Sequence, residues 1–194
     1  MNSVAVVILA AGAATRFGSA KQLAEIGGKS MLQRVLDNCS DRQEADLFLV
    51  LGANQEAIRT KIQIDEPQVI CNPNWQEGIG SSIRTATAKL KNEYEGILFV
   101  AGDQPLVNSQ KLGLLLDKWR ESPELICAAK YQNTLGIPAI FPRNSYSKLS
   151  ALSGDRGAKQ VLLENKNDIQ SVEIAEAATD IDRPEDLNRF NAIE

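Results

Sequence analysis

The sequence predicts an α/β fold built on a mostly parallel sheet. Apolar runs of strand length alternate with amphipathic segments at helical spacing, the pattern of strands joined by crossover helices. The runs are continuous rather than alternating, as strands covered on both faces require. The chain has 194 residues, 43% hydrophobic and 24% charged, enough for one well-buried core of ordinary composition.

Each element has its own signal. Val4–Leu9, rich in Val and Ile, is the first buried strand. Ser30 begins a capping-box pattern, and Met31, Leu32, Val35, Leu36 and Cys39 follow at helical spacing. Leu47–Leu51 is a second strand, and the short helix after Asn54 carries Ile58 and Ile62. Val69–Cys71 is a third strand, and Ser81 or Ser82 caps a helix running to about Lys91. Ile97–Ala101 is the fourth buried strand. Ser109–Trp119 is a helix with Leu112, Leu115, Leu116 and Trp119 on one face. Leu125–Tyr131 and Pro138–Phe141 read as an antiparallel excursion, because the gap between them is short. Helices near Ser145–Leu152 and Ala158–Glu164 precede a half-exposed strand, Gln170–Ile174. Pro184 fits the first turn of a final helix, with Glu185 and Asp186 at its positive end. No repeat or linker interrupts residues 1–194, so one domain is expected.

Composition excludes several functions. The net charge of −4 argues against a nucleic-acid or membrane-surface protein. No apolar run is long enough to span a bilayer, and the N-terminus lacks a signal-peptide pattern. Three scattered cysteines, Cys39, Cys71 and Cys127, read as buried free thiols in a reducing cytoplasm. The chain has no histidine, which removes every His-based triad and every His-ligated metal.

In open α/β sheets ligands bind beyond the carboxyl ends of the strands. Three polar, glycine-containing loops leave those ends: Ala10–Ala20, Pro73–Ser82 and Gly102–Pro105. The first follows a strand directly, in the stretch ILAAGAATRFGSAKQL. It is neither a dinucleotide fingerprint, since Ala13-Ala14 follows Gly12, nor a P-loop, since the glycine spacing and the Gly-Lys-Ser are wrong. Its small residues let backbone N–H groups approach a phosphate closely, and Arg16 and Lys21 bring charge to it. A solvated basic turn is the alternative reading. At the end of the fourth strand, Asp103 is placed to hold a hard cation that takes oxygen ligands and substrate phosphates; its alternative is a turn cap.

Leu9-Ala10-Ala11-Gly12, Arg16-Phe17-Gly18 and Lys21-Gln22-Leu23 resemble the signature of nucleotidyltransferases of the sugar-nucleotide and molybdenum-cofactor type. Asn72-Pro73-Asn74-Trp75-Gln76-Glu77-Gly78-Ile79-Gly80-Ser81-Ser82 resembles the molybdenum cofactor cytidylyltransferase branch of the MobA-like NTP transferase family. So do Gly136-Ile137-Pro138 with Phe141, and Leu152–Ala158, both assigned to the acceptor side, with Arg156 either a contact to an anionic acceptor or one half of a surface salt bridge. Asp180-Ile181-Asp182-Arg183-Pro184-Glu185-Asp186-Leu187 resembles the family's closing segment, with Arg183 in place of its usual Thr.

The resemblance implies a Rossmann-like three-layer sandwich with a mostly parallel mixed sheet, of the nucleotide-diphospho-sugar transferase type. It implies nucleotide contacts at Leu9, Ala10, Ala11, Gly12, Lys21, Gly80, Ser81 and Ser82, with Trp75 a packing anchor. Catalytic roles fall to Arg16, Lys21 and Asp103, and Mg2+ to Asp103 with Asp180 or Asp182. Ala11 adds a methyl group where guanylyl-transferring relatives carry glycine, which favours a pyrimidine. The expected reaction moves CMP from CTP to an acceptor phosphate, molybdopterin by resemblance, and releases pyrophosphate. A molybdoenzyme is a candidate partner. The competing expectations are a non-catalytic carrier of the cofactor and a sugar- or polyol-phosphate nucleotidyltransferase.

Overall fold

The computed structural model describes residues 3–14, 17–18, 20–40, 45–63, 68–165, 168–181, 183 and 185–187. Among them, β1 (Val4–Leu9) is followed by a small hairpin, β2 (Glu25–Ile26) and β3 (Lys29–Ser30), and by helix α1 (Met31–Ser40). Then come β4 (Asp46–Leu51), α2 (Gln55–Lys61), β5 (Gln68–Cys71), α3 (Ile79–Leu90), β6 (Gly96–Ala101) and α4 (Ser109–Glu121). The hairpin β7 (Ile126–Tyr131) and β8 (Thr134–Pro142), helices α5 (Tyr146–Ser150) and α6 (Ala158–Glu164), and β9 (Ile169–Glu173) complete it.

Seven described strands form one sheet in the order β5-β4-β1-β6-β8-β7-β9. Strands β5, β4, β1 and β6 are mutually parallel, with Ile8 level with Leu49 on one side and Val100 on the other. β8 runs antiparallel to both β6 and β7, and β7 pairs β9 in parallel. This is the mostly parallel mixed sheet that the apolar runs predict.

The strands alternate their side chains between two apolar layers. Val4, Val6, Ile8 and Ala10 pack with α1, α2 and α4 on one face. Ala5, Val7, Leu9 and Ala11 pack with α3, α5 and α6 on the other. Every residue of β1 is buried, so the strand is apolar throughout.

Several details depart from the sequence reading. α3 is capped by Gly78, not by Ser81 or Ser82, which lie buried inside its first turns. Gly78 has φ +99°, and a Cβ there would lie 2.6 Å from the Gly154 carbonyl oxygen, so neither serine can take that position. β8 begins at Thr134 rather than Pro138, because Gln132 and Asn133 both adopt positive φ (47° and 59°) and close a two-residue turn. Cys71 is exposed, whereas Cys39 and Cys127 are buried. Burial pushes both of those thiols up to about 12, which leaves them protonated and inert. Ser30 does cap α1, its hydroxyl accepting from the Gln33 N–H at 3.3 Å. Pro184 lies outside the described residues. The last turn still has half of a capping box, as Asp186 Oδ2 accepts from the Arg183 N–H at 2.9 Å.

Gly96 faces the fully buried Trp119, and a Cβ there would lie 2.9 Å from two atoms of its ring. Gly96→Ala is expected to destabilise the protein by about 1–3 kcal/mol through overpacking. Urea denaturation, read as a shift in midpoint at unchanged slope, checks it.

Candidate active site

The parallel ladder continues past the carboxyl ends of the strands and gathers the three loops. Ala10 N–H donates to Val50 O, Ala53 N–H to Ala11 O, and Gly102 N–H to Leu9 O, each at 3.0 Å. The first loop is thereby tied to both of its neighbours. Gly52 forms the junction with the second: a Cβ on it would lie 2.5 Å from Trp75 Cβ and 2.9 Å from Ala11 O. Trp75 packs against the apolar layer as an anchor.

Within the first loop, Leu9, Ala10 and Ala11 are buried and Gly12 is exposed. A Cβ on Gly12 would meet nothing within 4 Å. Packing does not demand glycine there, and the backbone at Gly12 is open to approach. Ala14 adopts φ +53°, a conformation that L side chains rarely take and that clusters at ligand clamps. Arg16 lies outside the described residues.

Lys21 opens a 3-10 turn, Lys21–Leu23, and its Nζ lies 2.7 Å from Asp103 Oδ2. The two side chains are only 16% and 24% exposed, so the pair is partly desolvated and its attraction stronger than at an open surface. The other Asp103 carboxylate oxygen takes no bond among the described residues. Asp103 O accepts from the Ile181 N–H at 3.1 Å, which docks the Asp180-Ile181 segment beside it. Asp182 lies outside the described residues. Gln104 secures the same junction, its Nε2 donating to Ala177 O and to Asp180 Oδ1, both at 2.9 Å. Burial, and then the Asp180 carboxylate, raise the Tyr131 phenol above its ordinary pKa. The Tyr131 hydroxyl covers Gly136, where a Cβ would lie 2.0 Å from it.

The second loop is built around Asn72. Its Nδ2 donates to Ser81 Oγ at 2.8 Å and Ser82 Oγ at 3.0 Å, and its Oδ1 accepts from the Asn74 N–H. Ser81 Oγ also donates to Gly78 O. Both serine hydroxyls are thus turned inward, and Gly80 is buried. Gly80 N–H donates to Gly154 O at 3.0 Å, and Arg84 bridges Glu77 and Leu152 O. The segment from Leu152 to Arg156 therefore supports the second loop, a placement the acceptor-side assignment did not foresee. Arg156 is exposed and forms no ion pair among the described residues.

The structure thus brings Leu9 to Gly12, Lys21, Asp103 and Asp180 to one edge, with Gly80, Ser81 and Ser82 across the Trp75–Gly52 junction. Sequence reasoning missed three buried amides, Gln22, Asn72 and Gln104, each of which fixes one loop. The one signal available was position: Asn72 follows β5 directly, and Gln22 and Gln104 stand next to Lys21 and Asp103.

Among the described residues no group of three or more carboxylates or thiols is arranged to hold a metal. The donor set nevertheless fits a hard divalent cation. Asp103 and Asp180 supply two carboxylates, and such ions are commonly held by one or two carboxylates together with substrate phosphates.

Residues 6–169 match the MobA-like NTP transferase domain. The chain belongs to this family. Rv0371c from Mycobacterium tuberculosis H37Rv superposes with a TM-score of 0.86 at 26% identity, over 98% of each chain. The same protein in complex with manganese superposes with a TM-score of 0.82 at 25% identity, again over 98% of each. Nicotine blue oxidoreductase from Paenarthrobacter nicotinovorans is 28% identical over 95% of this chain and 94% of its own. The bifunctional protein GlmU from Lactococcus lactis subsp. cremoris (strain MG1363) is 38% identical over 60% of this chain. This chain spans only 25% to 42% of the length of the GlmU relatives. No described helix is long and apolar enough to cross a membrane.

Asn72→Ala would take the amide donor from both serine hydroxyls, leaving Ser82 Oγ buried without it while Ser81 Oγ keeps Gly78 O. A loss of about 1–3 kcal/mol is expected, measured by chemical denaturation.

Proposed function

We propose that this MobA-like NTP transferase domain transfers CMP from CTP to an acceptor phosphate, with release of pyrophosphate. The observation that carries the reading is the Lys21–Asp103 pair at 2.7 Å, joined to the exposed Gly12 loop through Gln22. An acceptor phosphate is already anionic, so its attack on the α-phosphorus needs no histidine base. Catalysis is then positioning plus stabilisation of developing charge. Lys21 offers a compact positive charge to the phosphates, Arg16 a planar fork, and the backbone N–H groups of Ala11 to Ala13 their dipoles. Asp103, with Asp180 or Asp182, would hold Mg2+. Bound there, the ion neutralises phosphate charge and polarises the phosphoryl oxygens.

The pyrimidine choice rests on Ala11. It packs in the same apolar layer as α3 and Trp75, on the side of the second loop. A methyl group on that side shortens the space left for a base. Gly80, Ser81 and Ser82 are assigned to the nucleotide pocket, in a loop that Asn72 orders by donating to both serine hydroxyls. Molybdopterin is the proposed acceptor, by the motifs shared with the cytidylyltransferase branch, and a molybdoenzyme the recipient of the product. The proposed unit is one domain, acting in the cytoplasm. The oxidoreductase relative supplies the competing outcome, a redox role for the same edge of the sheet. Metal-dependent pyrophosphate release from CTP separates the two.

Asp103→Ala is expected to keep the fold and abolish metal-dependent turnover, since losing a metal ligand or its orienting shell costs at least tenfold. Near-normal pyrophosphate release at saturating CTP and physiological Mg2+ would overturn the assignment. For base choice, Ala11→Gly should shift the CTP:GTP ratio of kcat/KM toward GTP by roughly tenfold, the worth of one methyl in a pocket. Glycine also loosens the loop and lowers both activities, and that shared loss cancels in the ratio. A wild type that prefers GTP, or a ratio that stays put, removes the pyrimidine claim and leaves the rest standing.

A further inference from the structure

Gln22 is polar, yet only 3% exposed. Its Nε2 donates to Ala10 O at 3.0 Å and to Gly12 O at 2.8 Å, using both of its N–H groups. This fixes the orientation of the amide, because the opposite one would set its oxygen against two carbonyl oxygens. Oε1 is buried and has no hydrogen-bond partner among the described residues. An amide left half satisfied in the interior costs stability, so packing alone gives no reason to keep it.

The two accepting carbonyls have a consequence for the loop. In a trans peptide the C=O and the following N–H point in opposite directions. With Ala10 O and Gly12 O held toward Gln22, the N–H groups of Ala11 and Ala13 are directed away from it. Neither N–H has an acceptor among the described residues. Gln22 also belongs to the same 3-10 turn as Lys21, whose ammonium meets Asp103. One side chain therefore couples the loop backbone to the cationic group beside it.

We propose that Gln22 is the positioning residue of the phosphate loop: its amide turns the Ala10 and Gly12 carbonyls inward, so that the Ala11 and Ala13 N–H groups are presented to the phosphates of a nucleoside triphosphate alongside Lys21. The proposal rests on the nucleotide-site reading above. It assigns Gln22 no contact with the ligand; it acts through the backbone.

The test compares ligands with and without phosphates. CTP and cytidine are titrated, with Mg2+ present, into wild type, Gln22→Met and Gln22→Asn. Methionine keeps the length without the donor, and asparagine keeps the amide but falls short of both carbonyls. Circular dichroism reports folding, and melting of the unliganded protein reports any structural loss. The expected result is a CTP:cytidine affinity ratio that falls roughly tenfold or more in both variants, the scale set by small misplacements of binding groups. A merely structural role would lower the melting temperature and leave that ratio unchanged, and this would overturn the proposal. If Gln22→Met does not fold, Gln22→Asn decides alone. A wild type that binds GTP, UTP or ATP instead is tested with that nucleotide and its nucleoside. A wild type that binds no nucleotide overturns the nucleotide reading itself, and the proposal with it.

Discussion

The site depends on three backbone hydrogen bonds that continue the sheet beyond its strands. Ala10 N–H to Val50 O, Ala53 N–H to Ala11 O and Gly102 N–H to Leu9 O hold the loops that leave β1, β4 and β6 in strand-like register after those strands have ended. Ordering a loop costs conformational entropy at every residue, and here the ladder of the fully buried β1 absorbs much of that cost. Lys21, at the start of its 3-10 turn, and Asp103 can then meet across 82 positions of sequence.

The same alternation that builds the two layers sets the sidedness of the site. Ala10 packs toward α1 and α4, while Ala11 packs toward α3. The first loop therefore leaves the sheet where both layers meet. On one side it has the 3-10 turn with Lys21, and on the other the glycine-capped start of α3. A phosphate group and a base held at this edge would meet different layers.

Much of the fold was legible because periodicity reports burial. Val4–Leu9 matched to the residue, and Met31, Leu32, Val35, Leu36 and Cys39 all lie inside. The start of α3 was not legible, because serine at a helix start reads as a cap, and only the approach of Gly154 shows why glycine holds that place. The tight β7–β8 turn escaped because it uses Gln132 and Asn133 at positive φ, with no glycine to announce it. In the site, Lys21 and Asp103 were readable as charges flanking strand ends. Gln22, Asn72 and Gln104 were not, because a polar side chain reads as surface until its partners are known. Arg16 and Asp182 lie outside the described residues.

These buried amides have a common electrostatic logic. The chain carries a net charge of −4, so a phosphate ligand is attracted only by local groups. A cation at position 22 could hold the two carbonyls, but burying it there would cost several kcal/mol in desolvation. A carboxylate at that position would repel both carbonyl oxygens and any phosphate above them. A neutral amide donates twice and adds no charge. The argument is the same at Gln104, whose Nε2 donates to Asp180 Oδ1 without adding charge. Asn72 orders the second loop in the same neutral way. Beside the first and third loops the described charges are Lys21, Asp103 and Asp180, and neutral donors keep them in place.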